Sequence, residues 1–266
     1  MRCRFFLSCL LFLLLFFSCS SPYLFVSDEA FSELKQREIQ QSLSSALVYE
    51  TFKQAPSPGQ VLELAADKRA GALIFSPLYH DLARKIVQQG ADIPVYAVGP
   101  SGFKGKDGLR SMELDSRGAA DPVLDLIVRY LPEENPAFVT LIAFSEDTPW
   151  SGLMQKLEGT KERVRLKAIH VTAEMLKTRE INQFIRPRTD VMLILLGDYT
   201  QEIVKKIGLD SRESLPKLVI GDRFMDSGGN FRSYTLTVDW SGIYKALING
   251  TEQHNPWLLV PNSSNE

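Results

Sequence analysis

The chain has 266 residues, a formal net charge of −2 and an apolar fraction of 44%. That length suits one large domain or two lobes. A near-neutral balance without a basic block argues against nucleic-acid binding, whose affinity rests mainly on phosphate neutralisation.

In chain order, the first element is an export signal. Arg2 and Arg4 precede Phe5-Phe6-Leu7 and an apolar run from Leu10 to Phe17. From Phe5 onward that is about 13 residues, short of the ~20 a membrane-spanning helix needs. A secretory signal peptide over residues 1–18 is therefore expected rather than a transmembrane anchor. All three cysteines, Cys3, Cys9 and Cys19, lie in this stretch, so no disulfide, thiolate metal site or cysteine nucleophile is available further along. Phe16-Phe17-Ser18-Cys19-Ser20 resembles the lipobox of bacterial lipoproteins, although Phe16 stands where Leu is usual. The resemblance implies cleavage before Cys19 and acylation of its thiol by chains such as palmitate, leaving residues 19–22 as a lipid-anchored start. An ordinary signal peptide that happens to contain cysteine is the alternative. Without Arg2 and Arg4 the balance is 28 basic to 32 acidic residues, a net charge of −4.

Beyond it, short apolar runs alternate with amphipathic stretches. The pattern predicts a strand over Tyr23–Ser27, a helix over Phe31–Leu43 and a strand over Ala46–Thr51. A helix over Gly59–Lys68 leads to Gly71–Phe75, a continuous apolar run of the kind buried on both faces of a parallel sheet. Leu82–Gln89 is read as a helix and Pro94–Val98 as a strand, with Gly102–Gly108 as a surface loop. The rhythm then repeats: helix Pro122–Leu131, strand Phe138–Phe144, helix Trp150–Leu157, strand Leu166–Val171, helix Ala173–Ile185 and strand Val191–Leu196. Helix Thr200–Ile207, strands Leu218–Ile220 and Tyr234–Val238, helix Trp240–Ile248 and a last strand near Leu258–Pro261 complete it, before a frayed tail at 262–266. Strands alternating with helices imply crossover connections and parallel sheets. Two such sets, parted near Met112–Ser116, imply two α/β lobes.

Arg69–Pro77, Ile93–Val98, Asp115–Ala120, Leu196-Gly197-Asp198, Val219–Asp222, Thr237–Asp239 and Leu258–Pro261 follow an order that resembles type I periplasmic binding proteins and the ligand-binding domains of LacI-type repressors. The resemblance spans nearly all of residues 23–261. It implies two Rossmann-like lobes with parallel sheets, joined by a multi-strand hinge. The first lobe would take residues 23–114 plus 238–252, and the second 115–237 plus 255–261. It also implies an interlobe cleft in which strand ends and helix starts meet a small polar ligand of the sugar or nucleoside class.

Carried over position by position, the ligand contacts fall on Asp28, Phe31, Asp198, Asp222 and Asp239, with Gln usual near Asp239. Glu146, Trp150, Tyr199 and Arg223 stand at expected strand ends, where they suit either a different pocket or exposed loops and local caps. Asp28 also suits an N-cap, accepting a backbone N–H of the following helix. Phe31 equally begins the apolar stripe of its own helix. Trp150 suits stacking on a ring or burial in the core. Several sugar contacts depart from the pattern: Gly99-Pro100 stands where Asp is frequent, Met154 or Gln155 where Arg is common, and Gly197 where Asn would precede Asp198.

Catalysis is not expected. His80, His170 and His254 lie far apart without ligand spacing, and neither a P-loop nor a Gly-x-Ser-x-Gly elbow occurs. No cofactor and no metal are called for. The expected role is a lipid-anchored extracytoplasmic solute-binding protein, at the cell membrane or facing the periplasm, with an ABC permease or a membrane sensor as partner. The alternative is a structural or signalling lipoprotein that kept the fold without a working pocket.

Overall fold

The computed structural model describes residues 22–43, 47–106, 108–130, 136–144, 150–172, 175, 192–197, 218–222, 232–251 and 255–262. The signal segment with Cys19, the helices expected at 173–185 (apart from Met175) and 200–207, and Asp198, Tyr199, Arg223 and His254 lie outside them. Internal contacts divide the chain into two units, Met1–Leu114 with Trp240–Gln253 and Asp115–Asp239 with His254–Glu266.

Unit 1 is built on a five-stranded sheet: β1 (Tyr23–Asp28), β2 (Leu47–Phe52), β3 (Ala72–Phe75), β4 (Val95–Pro100) and β5 (Leu109–Leu114), in the order β2-β1-β3-β4-β5. Every neighbouring pair is parallel. Alternation along the strands gives the sheet two apolar faces. Leu24, Val26, Leu73, Phe75, Val95 and Ala97 pack with Val61 and Ala65 of α2 (Pro58–Asp67) and with Leu82, Ala83 and Ile86 of α3 (His80–Gln88). On the opposite face Phe25 meets Tyr49 and the Tyr244 ring. Here α1 (Glu29–Leu43) packs against α6 (Trp240–Asn249), which the chain contributes after its passage through unit 2. The fully buried Tyr244 donates from Oη to the Phe75 carbonyl at 3.0 Å, tying α6 to β3.

Local chemistry starts α2. Ser57 accepts from the Gln60 N–H, and the Gln60 side chain accepts from the Ser57 N–H, so two otherwise unbonded donors are satisfied reciprocally.

Unit 2 carries β6 (Ala137–Phe144), β7 (Val164–Val171), β8 (Met192–Leu196), β9 (Leu218–Gly221), β10 (Arg232–Val238) and β11 (Trp257–Pro261), in the order β11-β10-β9-β8-β6-β7. All pairs are parallel except β10 with β11. Helices α4 (Ala120–Tyr130) and α5 (Ser151–Gly159) bury Val123, Leu126, Ile127, Leu153 and Leu157. Strands β8 and β9 are buried throughout, as their unbroken apolar sequence predicts.

Two readings of the sequence need correction. β5 was not anticipated, because Arg110 and Glu113 leave only part of this edge strand buried. The loop after β4 is not wholly a surface feature either. Phe103 is buried there, with the Arg84 guanidinium over its ring at 4.9 Å and the His80 ring edge-on at 5.1 Å. Gly99 makes room for it: a Cβ at that position would lie 2.2 Å from Phe103 Cγ.

Candidate functional site

In open parallel sheets, ligands bind beyond the carboxyl ends of the strands. In unit 1 those ends bring Asp28, Thr51 and Ser76 into one polar cluster. Asp28 closes β1. Its Oδ1 accepts the Phe31 N–H at 2.9 Å, capping α1, and its Oδ2 accepts the Ser76 hydroxyl at 3.0 Å. Ser76 directly follows β3 and is fully buried. One carboxylate therefore joins the end of β1, the end of β3 and the first turn of α1. The Asp28 carbonyl accepts from Ser32 Oγ at 2.7 Å, and Ser32 Oγ also bonds Thr51 Oγ1 at 2.9 Å.

Two phenols face this cluster. Burial raises the Tyr79 phenol above its ordinary value, and the charge of Asp28 raises it further. Burial likewise raises Tyr49, with the Ser27 and Ser32 hydroxyls opposing and Asp28 adding. The Tyr49 hydroxyl lies beside these serines but is buried without a hydrogen bond of good geometry. Among the described residues no cation pairs with Asp28.

Phe31 is half-buried. Its ring lies parallel to Phe25 at 6.3 Å and edge-on to Trp240 at 5.2 Å. It therefore packs on the unit's own aromatics, as the stripe reading expects, and keeps part of its ring open. Asp28 is both a helix cap and a strand-end acceptor.

In unit 2, Asp222 follows β9 and accepts the Gly197 N–H through Oδ2 at 2.7 Å. Gly197 sits just past β8 with φ +111°, a conformation that glycine reaches without a Cβ penalty. Trp150, half-buried before α5, packs against Trp257 with ring centroids 5.1 Å apart. The Trp257 indole donates to the Asp115 carbonyl at 2.9 Å. The Asp239 N–H donates to the Pro256 carbonyl at 2.9 Å. Asn255 bonds the Gly118 carbonyl and Asp121, so the strand ends of this unit are tied to the turn at 116–119.

The structure thus brings Asp28 and Phe31 to one strand-end cluster, places Asp222 and Asp239 at strand ends of unit 2, and puts Trp150 at the start of α5 against Trp257 of β11. Sequence reasoning passed over Ser76, Ser32, Thr51, Tyr49 and Trp257. For Ser76 a local signal exists, a polar residue directly after a strand buried on both faces. Ser32 bonds locally to the Asp28 carbonyl four residues earlier, whereas Thr51, Tyr49 and Trp257 carry no local signal, because their partners come from distant segments. Among the described residues no group of three His, Cys, Asp or Glu side chains converges as a metal site, and no helix is long and apolar enough to cross a membrane.

No protein-family model matches the chain. Among solved structures it is similar to a sugar ABC transporter (sugar-binding protein) from Bacillus halodurans, at 15% identity and TM-score 0.58, covering 92% of this chain and 98% of that one. A LacI family transcriptional regulator from Bifidobacterium animalis subsp. lactis matches at 16% identity and TM-score 0.56, covering 92% and 98%. A glucose-galactose binding protein from Geobacillus stearothermophilus matches at 12% identity and TM-score 0.52, covering 92% and 99%. These likenesses and the two strand orders agree with the resemblance carried by the sequence: the chain has the type I periplasmic-binding-protein fold.

Proposed function

We propose that this protein is an extracytoplasmic solute-binding protein, lipid-anchored through Cys19, that captures a small polar ligand of the sugar or nucleoside class for an ABC importer. The observation that carries the reading is the polar cluster at the carboxyl edge of the unit 1 sheet, where a half-buried carboxylate stands among hydroxyls beside a half-buried aromatic pair. Such a mixture of apolar face and few directed polar groups suits a polyol. The end-to-end likeness to sugar-binding proteins of transporters supports it, and the apolar segment ahead of Cys19 supports export. Asp222, Asp239 and Trp150, together with Asp198, Tyr199 and Arg223, are the unit 2 contacts of this proposal.

A second reading has its own support. Asp28 is already bonded to Phe31 N–H and Ser76, and Phe31 and Trp150 each pack on another aromatic of their own unit. A lipoprotein that kept the fold without a pocket would use these residues in that way.

Thermal unfolding of the full-length chain against a panel of neutral sugars, amino sugars and nucleosides separates the two. A ligand at 100 times its Kd adds about 2.7 kcal/mol, and at this size each kcal/mol moves Tm by roughly 2–4 °C. A shift lost on Trp150→Ala supports solute capture. A well-folded protein with no shift across the panel supports the pocketless reading.

A further inference from the structure

The Asp28 cluster constrains what a ligand presents to unit 1. A carboxylate has about four lone-pair sites, and Asp28 spends one on Phe31 N–H and one on Ser76 Oγ, one per oxygen. Acceptor capacity therefore remains on both oxygens. The groups around it are neutral: the hydroxyls of Ser27, Ser32, Thr51, Ser76, Tyr49 and Tyr79. Its charge is thus half-withdrawn from water and met by hydrogen bonds and the N-terminus of α1, but among the described residues by no cationic side chain. The nearby cation Lys53 is highly exposed and stands 3.9 Å from Glu29 instead.

The end of β4 offers no second carboxylate. There the space beside Gly99 is filled by the buried Phe103 ring. On α1 and α6, Phe31 and Trp240 present half-buried rings, one joined to Asp28 through its own backbone N–H. A carboxylate beside aromatic rings favours a cation, through a charge-assisted hydrogen bond and attraction to the ring faces. It disfavours an anion through like-charge repulsion.

We infer that Asp28 is a specificity-determining residue that selects a ligand bearing a protonated amine, of the amino-sugar class, over its neutral or acidic counterparts. The inference rests on the solute-binding reading above and narrows it. Asp28→Asn isolates the charge, because the amide oxygen still accepts the Phe31 N–H and the amide nitrogen can donate to Ser76 Oγ.

The test is calorimetric titration of the full-length chain at about pH 6, where an aliphatic amine is protonated. The probes are D-glucosamine, D-glucose, D-galactosamine, D-galactose and D-galacturonic acid. At least one amino sugar is expected to bind roughly tenfold tighter than its neutral partner, with the acid weakest. In Asp28→Asn that preference falls to within about twofold, while Glu29→Gln, which removes a neighbouring exposed carboxylate, leaves it in place. Equal binding of amino and neutral sugars overturns the inference and leaves the solute-binding reading standing. Tightest binding of the acid, or a preference that survives Asp28→Asn in a folded protein, overturns it as well. No binding of any probe by the folded chain overturns it together with the sugar-class reading on which it rests.

Discussion

The two units use the same device at the carboxyl edge of their sheets, with one difference in the donor. Asp28 closes β1 and reaches the residue after β3; Asp222 follows β9 and reaches the residue after β8. In each case a carboxylate bridges two adjacent strands of a parallel sheet. In unit 1 the donor is the Ser76 side chain, and in unit 2 it is the Gly197 main chain. A side-chain donor can be lost by a single substitution, whereas a main-chain donor remains and must be satisfied. Removing either carboxylate leaves its donor behind, so only the unit 1 bridge can be broken from the donor side by a single substitution. Unit 1 adds a second task, since Asp28 also caps α1.

The largest effect is expected from Asp28→Ala, which removes a cap and a bridge together and leaves the buried Ser76 hydroxyl without its acceptor. It should cost roughly 1.5–3 kcal/mol, read as a lower denaturant midpoint at unchanged m-value. Asp28→Asn, which keeps the cap, should restore most of that loss. Asp222→Ala removes the carboxylate from the Gly197 N–H and should cost about 1–2 kcal/mol. Ser76→Ala breaks only the unit 1 bridge, so about 0.5–1.5 kcal/mol is expected. Should Ser76→Ala equal Asp28→Ala in a denaturant series, the cap contributes nothing and the comparison fails.

Tyr49→Phe removes a buried hydroxyl that has no good partner, so the change should be neutral or slightly stabilising, within about 0.5 kcal/mol. A clear loss of stability would instead show that this hydroxyl is satisfied in the folded protein.

High pH tests the apolar side of both units. Burial holds the Tyr244 phenol well above its ordinary value in unit 1 and pushes Tyr234 up to about 12 in unit 2. As pH rises past about 10, the unfolded chain loses phenolic protons before the folded one does, so folding becomes less favourable. Their contribution is unchanged below pH 10 and falls above it. Denaturant midpoints between pH 8 and 11, followed with phenolate absorbance, should show the decline begin together with ionisation on unfolding. Tyr130, which accepts from neighbouring groups and is lowered by its bond with Tyr234 and by Arg129 and Arg232, should ionise without unfolding.

Elements that carry their signal locally were legible. The runs that became β3, β8 and β9 are apolar throughout, and the start of α1 is marked by the Asp28 side chain; the Ser57 cap of α2 is equally local but was passed over. β5 was missed because an edge strand needs only partial burial and its sequence alternates too weakly. Phe103 was missed because no local pattern distinguishes a loop aromatic that turns back onto the core from one left in solvent. Half of the candidate site was legible for the same reason. Asp28 and Asp222 follow strands in the sequence, but Ser76 lies 48 residues from Asp28 and Gly197 lies 25 from Asp222.

By itself, then, the sequence determined the alternation of strand and helix, the buried parallel strands and the two-set division, because hydrophobic period is a property of neighbouring residues. Only the tertiary structure decided the strand orders, the antiparallel seating of β11 against β10 and the pairing of Trp150 with Trp257. These depend on which distant segments crossover connections bring side by side. A carboxylate at a strand end finds its partner only once that neighbour is in place.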